Sequence, residues 1–349
     1  MKVFRTCLLG AIMLLSLPSV GRAGDPTRVG TAGAPELLIP VGARGVALGD
    51  AYVSGITGIE AIFWNPAGLA QNSGGVDVLF SHMNYIADIG VNYVGIGTRI
   101  GTLGNFALTL KSLSFGDITQ TTDQFPDGGI GTYSPSYVTM GLTYAKGLTD
   151  RIYVGASVKY VSEKIMRETA TGVAFDAGIQ YKTDVGLKFG IAVRNIGSSM
   201  QFAGDDMSYL ATVPGSNPNA PQTPLYVEAS SFDMPSTFDI GASYDLVMND
   251  ENKVTVIATF RNDNYGTDKY MGALEYNFDE TVFLRGGWIF ATSVNGSGLV
   301  SDGDDNIFGP TAGIGIQTSL GGSQLNIDYA YRATQFFVGN NIFSVRLGI

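Results

Sequence analysis

Apolar and polar residues alternate with a period of two along most of the chain after residue 74. The alternation marks fourteen candidate strands, most of them about 10 to 12 residues long. They lie near residues 75–84, 91–101, 104–115, 137–148, 151–163, 172–183, 186–197, 236–248, 253–263, 268–279, 281–292, 308–319, 323–333 and 340–349. A tilted membrane-spanning strand needs roughly 9 to 11 residues, whereas strands of globular sheets usually have about 5 or 6. The pattern therefore predicts an all-β protein, and the even number of strands suits an antiparallel outer-membrane β-barrel.

The links between the predicted strands alternate between short and long. Six of them are tight turns, with the sequences "GTLG", "LTD", "TDVG", "NDEN", "DE" and "LGG". The intervening links are mostly longer, and they include residues 116–136, 198–235 and 292–307. Transmembrane barrels place short turns on the periplasmic side and long loops outside. The segregation favours a barrel over a soluble sandwich, and it predicts that both ends of the mature chain lie on the short-turn side.

The two faces of the predicted strands differ in polarity. In "LKFGIAVRN", for example, Leu187 and Phe189 alternate with Lys188 and Arg194. Charged residues occupy the polar, alternate positions of many predicted strands. They are Lys111, Lys159, Asp176, Lys188, Arg194, Asp239, Asp245, Arg261, Glu275, Arg285, Asp328, Arg332 and Arg346. A β-sandwich would show the same alternation, so alternation alone does not exclude it. In a barrel, these charges would line the lumen and pair with one another or with an inserted segment.

The first 23 residues have the features of an export signal. Lys2 and Arg5 precede an apolar run, and a cleavage site fits after Ala23. Cys7, the only cysteine, lies in this segment, so the mature chain is expected to form no disulfide. Without the leader, 18 basic residues face 31 acidic residues, a formal charge of −13. This balance argues against nucleic acid as a partner.

Residues 41–70, "VGARGVALGDAYVSGITGIEAIFWNPAGLA", closely resemble the N-terminal signature of the PorV/PorQ family, part of the wider FadL-like group of outer-membrane proteins. The residues that carry the resemblance are Gly42, Arg44, Gly49, Asp50, Trp64, Asn65, Pro66 and Gly68. The resemblance implies a fourteen-stranded barrel over residues 75–349, with residues 24–74 folded into the lumen as a plug, or hatch.

The residues of this segment are physically compatible with a hatch. Phe63 and Trp64 need burial, and the many Gly and Ala residues allow close packing against a barrel wall. Asn65-Pro66 favours a turn, because proline fixes φ and disfavours helix at the preceding residue. Residues 44–54 are expected to form a short helix. The alternative is an arm that reaches into the periplasm and binds a partner there.

The sequence offers little support for catalysis or metal binding. His82 is the only histidine, and no G-x-S-x-G motif accompanies it. The stretch "SDGDDNIFG" begins like a calcium loop, but Ile307 and Gly313 stand where glycine and a bidentate glutamate are required. We expect a non-enzymatic protein without cofactor or metal, and residues 301–306 as an acidic solvated loop.

Two classes of function remain open. By resemblance to PorV and PorQ, the protein is an accessory of type IX protein secretion that binds exported proteins or the secretion machinery. By resemblance to FadL, it is a channel for hydrophobic molecules such as fatty acids. Either role fits a protein surrounded by outer-membrane lipid. The long loop of residues 198–235 offers a candidate contact surface composed of Met200, Phe202, Met207, Tyr209, Leu210, Tyr226 and Phe232.

Overall fold

The computed structural model describes residues 26–72, 75–217, 221–293, 299–300 and 306–349. In these ranges fourteen long antiparallel strands form a closed barrel. We number them β1 to β14: Val76–Asn84, Gly90–Ile100, Gly104–Ser114, Ser136–Gly147, Ile152–Ile165, Glu168–Lys182, Leu187–Gly197, Thr237–Val247, Asn252–Asp263, Lys269–Phe278, Val282–Thr292, Phe308–Leu320, Ser323–Thr334 and Asn340–Gly348. Each strand pairs with its sequence neighbour, and β1 pairs with β14 from Asp77↔Gly348 to Asn84↔Asn341. The predicted barrel is thus confirmed.

The prediction placed the ends of most strands within about two residues of the observed ends. The largest difference is between β5 and β6, where residues 164–171 were expected to form a link. The ladder instead continues to Ile165↔Glu168, and only Met166 and Arg167 turn the chain. Met166 has a φ of 55°, as a tight two-residue turn requires. This strand pair therefore extends farther than the alternation predicted.

The two faces of the wall have the predicted polarities. Phe189, Ile191 and Phe343 are exposed on the outside, where a membrane protein meets lipid. Inward-facing charged residues such as Asp239 and Arg332 are buried. The outer face also exposes tyrosines of the strands, namely Tyr144, Tyr160, Tyr181, Tyr244 and Tyr331. The apolar face of the barrel therefore points outward, which is the reverse of a soluble sandwich.

The part of the chain before β1, which we call the N-terminal segment (residues 26–72), runs through the lumen. It begins at the long-loop end, where Gly30 and Gly33 donate backbone hydrogen bonds to Tyr265 and Asp233. It ends at the short-turn end, where β1 begins beside the C-terminal Ile349. The expectation that both ends of the mature chain lie on the short-turn side was wrong for the amino-terminal part. The N-terminal segment crosses the lumen from one end of the barrel to the other, and its apolar residues are buried there.

Short helical turns organise the N-terminal segment. One α-helix, α1, spans Ala43–Ala47, and 3-10 turns span Pro26–Arg28, Pro35–Leu38, Ile59–Phe63 and Pro66–Gln71. The expected helix over residues 44–54 is therefore shorter than predicted. Gly49 and Asp50 have φ values of 58° and 60°, and this left-handed conformation ends the helix. No helix in the described ranges is long and apolar enough to cross a membrane.

Side chains from around the wall bind the backbone of the N-terminal segment. Ser344 on β14 accepts a hydrogen bond from the Ala43 amide at 2.7 Å. On the other side, Gln180 on β6 donates to the carbonyl oxygens of Val53 and Ile56, each at 3.1 Å. Trp64 is only 2% exposed and packs in a cluster with Val46, Leu48 and other residues of the segment. The polar inner face of the barrel thus satisfies backbone groups that secondary structure leaves free.

Candidate functional site

Asn65 joins the N-terminal segment to two strands of the wall. Its side-chain oxygen accepts a hydrogen bond from the Ala67 amide at 3.1 Å and caps the turn Pro66–Gln71. Its side-chain nitrogen lies within hydrogen-bonding distance of three carbonyl oxygens, those of Val53 (3.0 Å), Ile179 (3.1 Å) and Ile191 (3.3 Å). Asn65 is fully buried. The amide therefore serves as both a cap and a cross-link between segment and wall.

Glycines on the inner wall allow the backbone of the segment to lie directly on the strands. A Cβ atom on Gly155 would lie 2.4 Å from the carbonyl carbon of Pro66, and one on Gly178 would lie 2.0 Å from Oδ1 of Asn65. Gly190 faces the Val53 carbonyl in the same way. Because real Cβ atoms do not approach so closely, residues with side chains at these positions would displace the segment.

The motif glycines inside the segment have similar roles. Gly42 has a φ of 83° and Gly49 a φ of 58°, which are conformations that glycine adopts at little cost. A Cβ atom on Gly68 would lie 2.3 Å from the carbonyl oxygen of Ile56. A Cβ atom on Gly45 would lie 2.5 Å from the Trp64 ring, so Gly45 and Trp64 form one packing unit. The signature residues are thus close neighbours within the fold.

A chain of buried ion pairs connects Arg44 of the segment to the wall. Arg44 contacts Glu275 on β10 at 2.9 Å, and Arg285 on β11 contacts the same carboxylate at 2.6 Å. Arg285 also contacts Asp328 on β13 at 2.5 Å. Because buried charges are costly without partners, this chain fixes the height of Arg44 in the lumen. Nearby, burial and then the charge of Asp328 raise the pKa of Glu60.

Asp50 forms a second charged contact closer to the outer mouth. Its carboxylate lies 3.6 Å from Nη1 of Arg332. The Arg332 guanidinium also lies 3.9 Å from the centre of the Phe308 ring and donates two hydrogen bonds to Oδ1 of Asn340, the shorter at 2.9 Å. Both charged side chains are almost completely buried. Lumen charges thus pair with one another and with the segment, as the alternation predicted.

A third contact holds the turn Pro35–Leu38. Lys111 on β3 donates through Nζ to the carbonyl oxygen of Glu36 at 2.6 Å and to that of Ile39. The Glu36 carboxyl lies beside that of Glu163 on β5, and both are buried. Burial, and then the neighbouring Glu163, raise the pKa of Glu36 to about 8. This carboxyl pair could not be predicted from the sequence, because its members are far apart in the chain.

Among the described residues, two of the cavities lie between the segment and the wall. The smaller has a volume of about 30 Å³, lies under Leu37 and Phe63, and has room for about one water molecule. The larger has a volume of about 220 Å³ and opens near the outer mouth. It is lined by Pro35, Leu38, Ile39, Pro40, Asp50, Tyr85, Arg261, Asp263, Lys269, Met271, Ile289, Asn306, Phe308 and Arg332. We call it the mouth cavity.

The structure separates the predicted loop surface into two groups. Met200 and Phe232 form an isolated bridge and pack with Phe202 against Ala34 and Leu37, so these three loop residues cap the lumen. Met207 is partly buried. The other residues lie on a hairpin of Ser208–Ala211 and Thr223–Tyr226. Their exposed fractions are 55% for Tyr209, 63% for Leu210 and 73% for Tyr226.

The remaining residues singled out from the sequence are His82, the acidic stretch of residues 301–306 and the export signal. The two ring nitrogens of His82 lie 2.8 Å from Oδ1 of Asn92 and 3.2 Å from Oδ1 of Asn84. The proposed acidic loop falls largely outside the described residues, although Asn306 donates a hydrogen bond to the Ile289 carbonyl. The export signal of residues 1–23 also lies outside the described ranges.

Comparison with models of known families matches residues 22–265 to the family described as type IX secretion system protein PorV. The chain belongs to the PorV family. The match covers the N-terminal segment and the barrel into the loop after β9. A search of curated protein sequences finds no match.

Among solved structures, this PorV-family chain is similar to the CymD monoaromatic hydrocarbon channel, with 13% identity, a TM-score of 0.52 and coverage of 89% of this chain and 97% of that one. It is also similar to the Pseudomonas putida toluene transporter TodX (12% identity, TM-score 0.50, coverage 86% and 96%). A Pseudomonas aeruginosa FadL homologue gives 12% identity, a TM-score of 0.50 and coverage of 88% and 98%. Such distant similarity shows the fold alone. This PorV-family member is therefore an outer-membrane β-barrel protein whose fold is similar to that of these channels.

Proposed function

We propose that this PorV-family protein is an accessory of type IX protein secretion, with residues 24–74 acting as a hatch that keeps the barrel closed. The family match over residues 22–265 is the observation that carries the proposal. In this role the protein binds exported proteins or the secretion machinery at the cell surface. The membrane around the barrel is its other partner.

The filled lumen supports a role at the surface over a role as a wide pore. Asn65, Arg44 and Lys111 connect the N-terminal segment to different sides of the wall. The mouth cavity, at about 220 Å³, is the larger of the two spaces described above. A helix with its side chains is roughly 10–12 Å across, and a cavity of this volume leaves no room for a helix or a folded protein to pass beside the hatch. Exported proteins would therefore meet the outer loops and not the lumen.

The hairpin of Ser208–Ala211 and Thr223–Tyr226 is the best-exposed apolar part of the predicted loop surface. Tyr209, Leu210 and Tyr226 project from it without packing on the barrel core. Aromatic residues are enriched in the centres of protein interfaces, because they bury much area at low entropic cost. The hairpin is thus the place where we expect a protein partner to bind.

The test is to purify the tagged protein from its native outer membrane in mild detergent and to identify what stays bound by mass spectrometry. We expect exported proteins that share a common C-terminal domain. The double variant Tyr209→Ser with Tyr226→Ser should lower their recovery about tenfold, corresponding to roughly 1.4 kcal/mol of binding energy. Phe125→Ser, at an exposed residue of the loop after β3, is the matched control and should not change recovery. Hydrophobic small molecules without such proteins would contradict the proposal.

The mouth cavity favours one alternative function, the uptake of hydrophobic molecules. Its lining combines an apolar part, with Leu38 and Met271, and a charged part, with Lys269 and Arg332. Such a lining suits a small amphipathic molecule. Ile289→Trp would fill part of the cavity and should abolish binding of a fatty acid measured by calorimetry. If the unmodified protein does not bind the fatty acid, this alternative is wrong.

A further inference from the structure

The outer surface of the barrel carries a groove of small residues that crosses three strands. Ala242 on β8, Ala258 on β9 and Gly272 on β10 are direct cross-strand partners. Phe189 is paired with Ala242 at one end of this row, and Trp288 is paired with Gly272 at the other end. The groove has a volume of about 650 Å³ and is open on its outer side.

Large side chains form both banks of the groove. On the side toward the long loops, the rings of Phe260 and Tyr270 lie 5.1 Å apart, and Phe290 stacks on Trp288 at 6.1 Å. On the other side, the next outward-facing row of the same strands consists of the exposed cross-strand partners Tyr244, Val256 and Leu274. A Cβ atom on Gly272 would meet nothing within 4 Å. The floor is therefore open, and glycine is not required there by packing.

We propose that this groove binds an acyl chain of a lipid of the surrounding outer membrane. The groove faces outward in the middle of the strands, where the barrel wall meets hydrocarbon. Among the described residues that line it, none is charged. An occupant in this environment must satisfy its own polar groups or have none, because polar groups without partners are costly in the bilayer core.

The width of the groove favours a single hydrocarbon chain. The rows of Ile240 and Tyr244, on either side of Ala242, are four residues apart, roughly 13–14 Å between Cα atoms. The side chains of both rows fill part of this distance, so the open width is smaller than the 10–12 Å diameter of a helix. A second barrel would present a convex wall, which cannot reach the floor of Ala242, Ala258 and Gly272. An acyl chain, which is one methylene wide, can reach it.

Trp288 provides a direct test. The full-length protein, purified and stripped of lipid in detergent, is titrated with phosphatidylcholine brominated in the middle of its acyl chains, because bromine quenches tryptophan fluorescence on contact. The other tryptophan, Trp64, is 2% exposed inside the barrel and contributes an unquenched background. We expect quenching that saturates at about one lipid per chain. Gly272→Leu fills the groove and should raise the half-quenching concentration at least tenfold.

Ala156→Leu is the matched control, because Ala156 is also an exposed outward-facing small residue, on β5. It should leave the titration unchanged, and heat-modifiable mobility on gels should confirm that all variants fold. Quenching of the unmodified protein that rises linearly without saturation would overturn the proposal. An unchanged titration for Gly272→Leu would do the same. Saturation by brominated stearic acid below the concentration needed for phosphatidylcholine would overturn the assignment to a membrane lipid.

Discussion

The two ends of the N-terminal segment meet the barrel wall in different ways. Near the short-turn end, Asn65 and Pro66 lie directly on Gly155 and Gly178, so the backbone of the segment touches the strands. Near the outer mouth, charged side chains and a cavity of about 220 Å³ separate the segment from the wall. A backbone contact has no side chain that can repack, whereas a polar contact beside a cavity can rearrange. The contact near the short-turn end, which we call the lower end, therefore fixes the position of the segment. The contact near the outer mouth, the upper end, can rearrange.

Gly155→Val would break the lower contact most severely. Its Cβ atom would lie 2.4 Å from the backbone of Pro66, which must then move away from β5. Overpacking usually costs about 1–3 kcal/mol, and we expect a loss near or above 3 kcal/mol because the obstructed atoms belong to backbone. Thermal unfolding in detergent measures the loss. Gly272→Val, on the outer wall with nothing within 4 Å of its Cβ atom, should unfold like the unmodified protein. Equal stability of the two variants would refute the lower contact.

The double variant Asn65→Ala with Pro66→Ala should have the next largest effect. It removes the side-chain bonds to the carbonyl oxygens of Val53, Ile179 and Ile191. At about 1 kcal/mol for each bond, we expect a loss of roughly 2–3 kcal/mol. The barrel should still assemble, while single-channel conductance should rise because the hatch is loosened. If the variant fails to insert, or if its conductance equals that of the unmodified protein, the hatch assignment is wrong. Asn84→Ala, at the rim, serves as the control.

Arg332→Gln probes the upper end. Breaking a fully buried ion pair costs about 3–5 kcal/mol. Here the contact with Asp50 is 3.6 Å long and borders the mouth cavity, which can admit water. We therefore expect a smaller loss, on the order of 1–2 kcal/mol, in thermal unfolding. Adding Asp50→Asn should recover part of it, because the partner charge is then also removed. A loss as large as that of Gly155→Val would show that the upper end is as rigid as the lower.

Glu36→Gln should have the smallest effect of these variants near pH 5, and its effect should grow as the pH rises. The pKa of Glu36 is raised from 4.5 to about 8, so the folded protein holds a proton that the unfolded chain releases between these values. The stability of the unmodified protein should therefore fall as pH rises from about 5 to 8, and the variant should show a flatter profile. At pH 8 the variant should unfold at a higher temperature, and at pH 5 the two should be nearly equal. The same slope in both proteins would exclude Glu36 as its source.

The positions of the barrel strands could be predicted from the sequence more accurately than the contacts inside the lumen. Strand positions follow from a local alternation, so β7 could be located from Leu187, Phe189 and Lys188 without knowledge of its neighbours. Asn65-Pro66 could be read as a turn for the same reason. The partners of Asn65 could not, because Ile179 and Ile191 lie more than 100 residues away and contribute only carbonyl oxygens. Every residue has a backbone carbonyl oxygen, so the identity of a residue in the sequence does not show which carbonyl oxygen accepts a hydrogen bond.

The loop between β7 and β8 shows a second limit. Its apolar residues predicted a contact surface, but composition does not distinguish an inward from an outward residue when the backbone is irregular. Met200 and Phe232 pack over the lumen, whereas Tyr209 and Tyr226 are exposed. Gly33 allows the close approach of Phe232, because a Cβ atom on Gly33 would lie 2.1 Å from the Phe232 ring. This role of Gly33 could be recognised only from the structure.

The path of the N-terminal segment constrains the order of assembly. The segment enters at the outer mouth near Tyr265 and leaves at the opposite rim beside Ile349. The seam of the barrel joins β1 to β14, the first and last strands of the chain. Long-range pairing of this kind is slow, because the loop between the partners must first be closed. Threading a chain through a closed ring would be slower still, so we expect the segment to lie inside before the seam closes, with the inner wall folding around it.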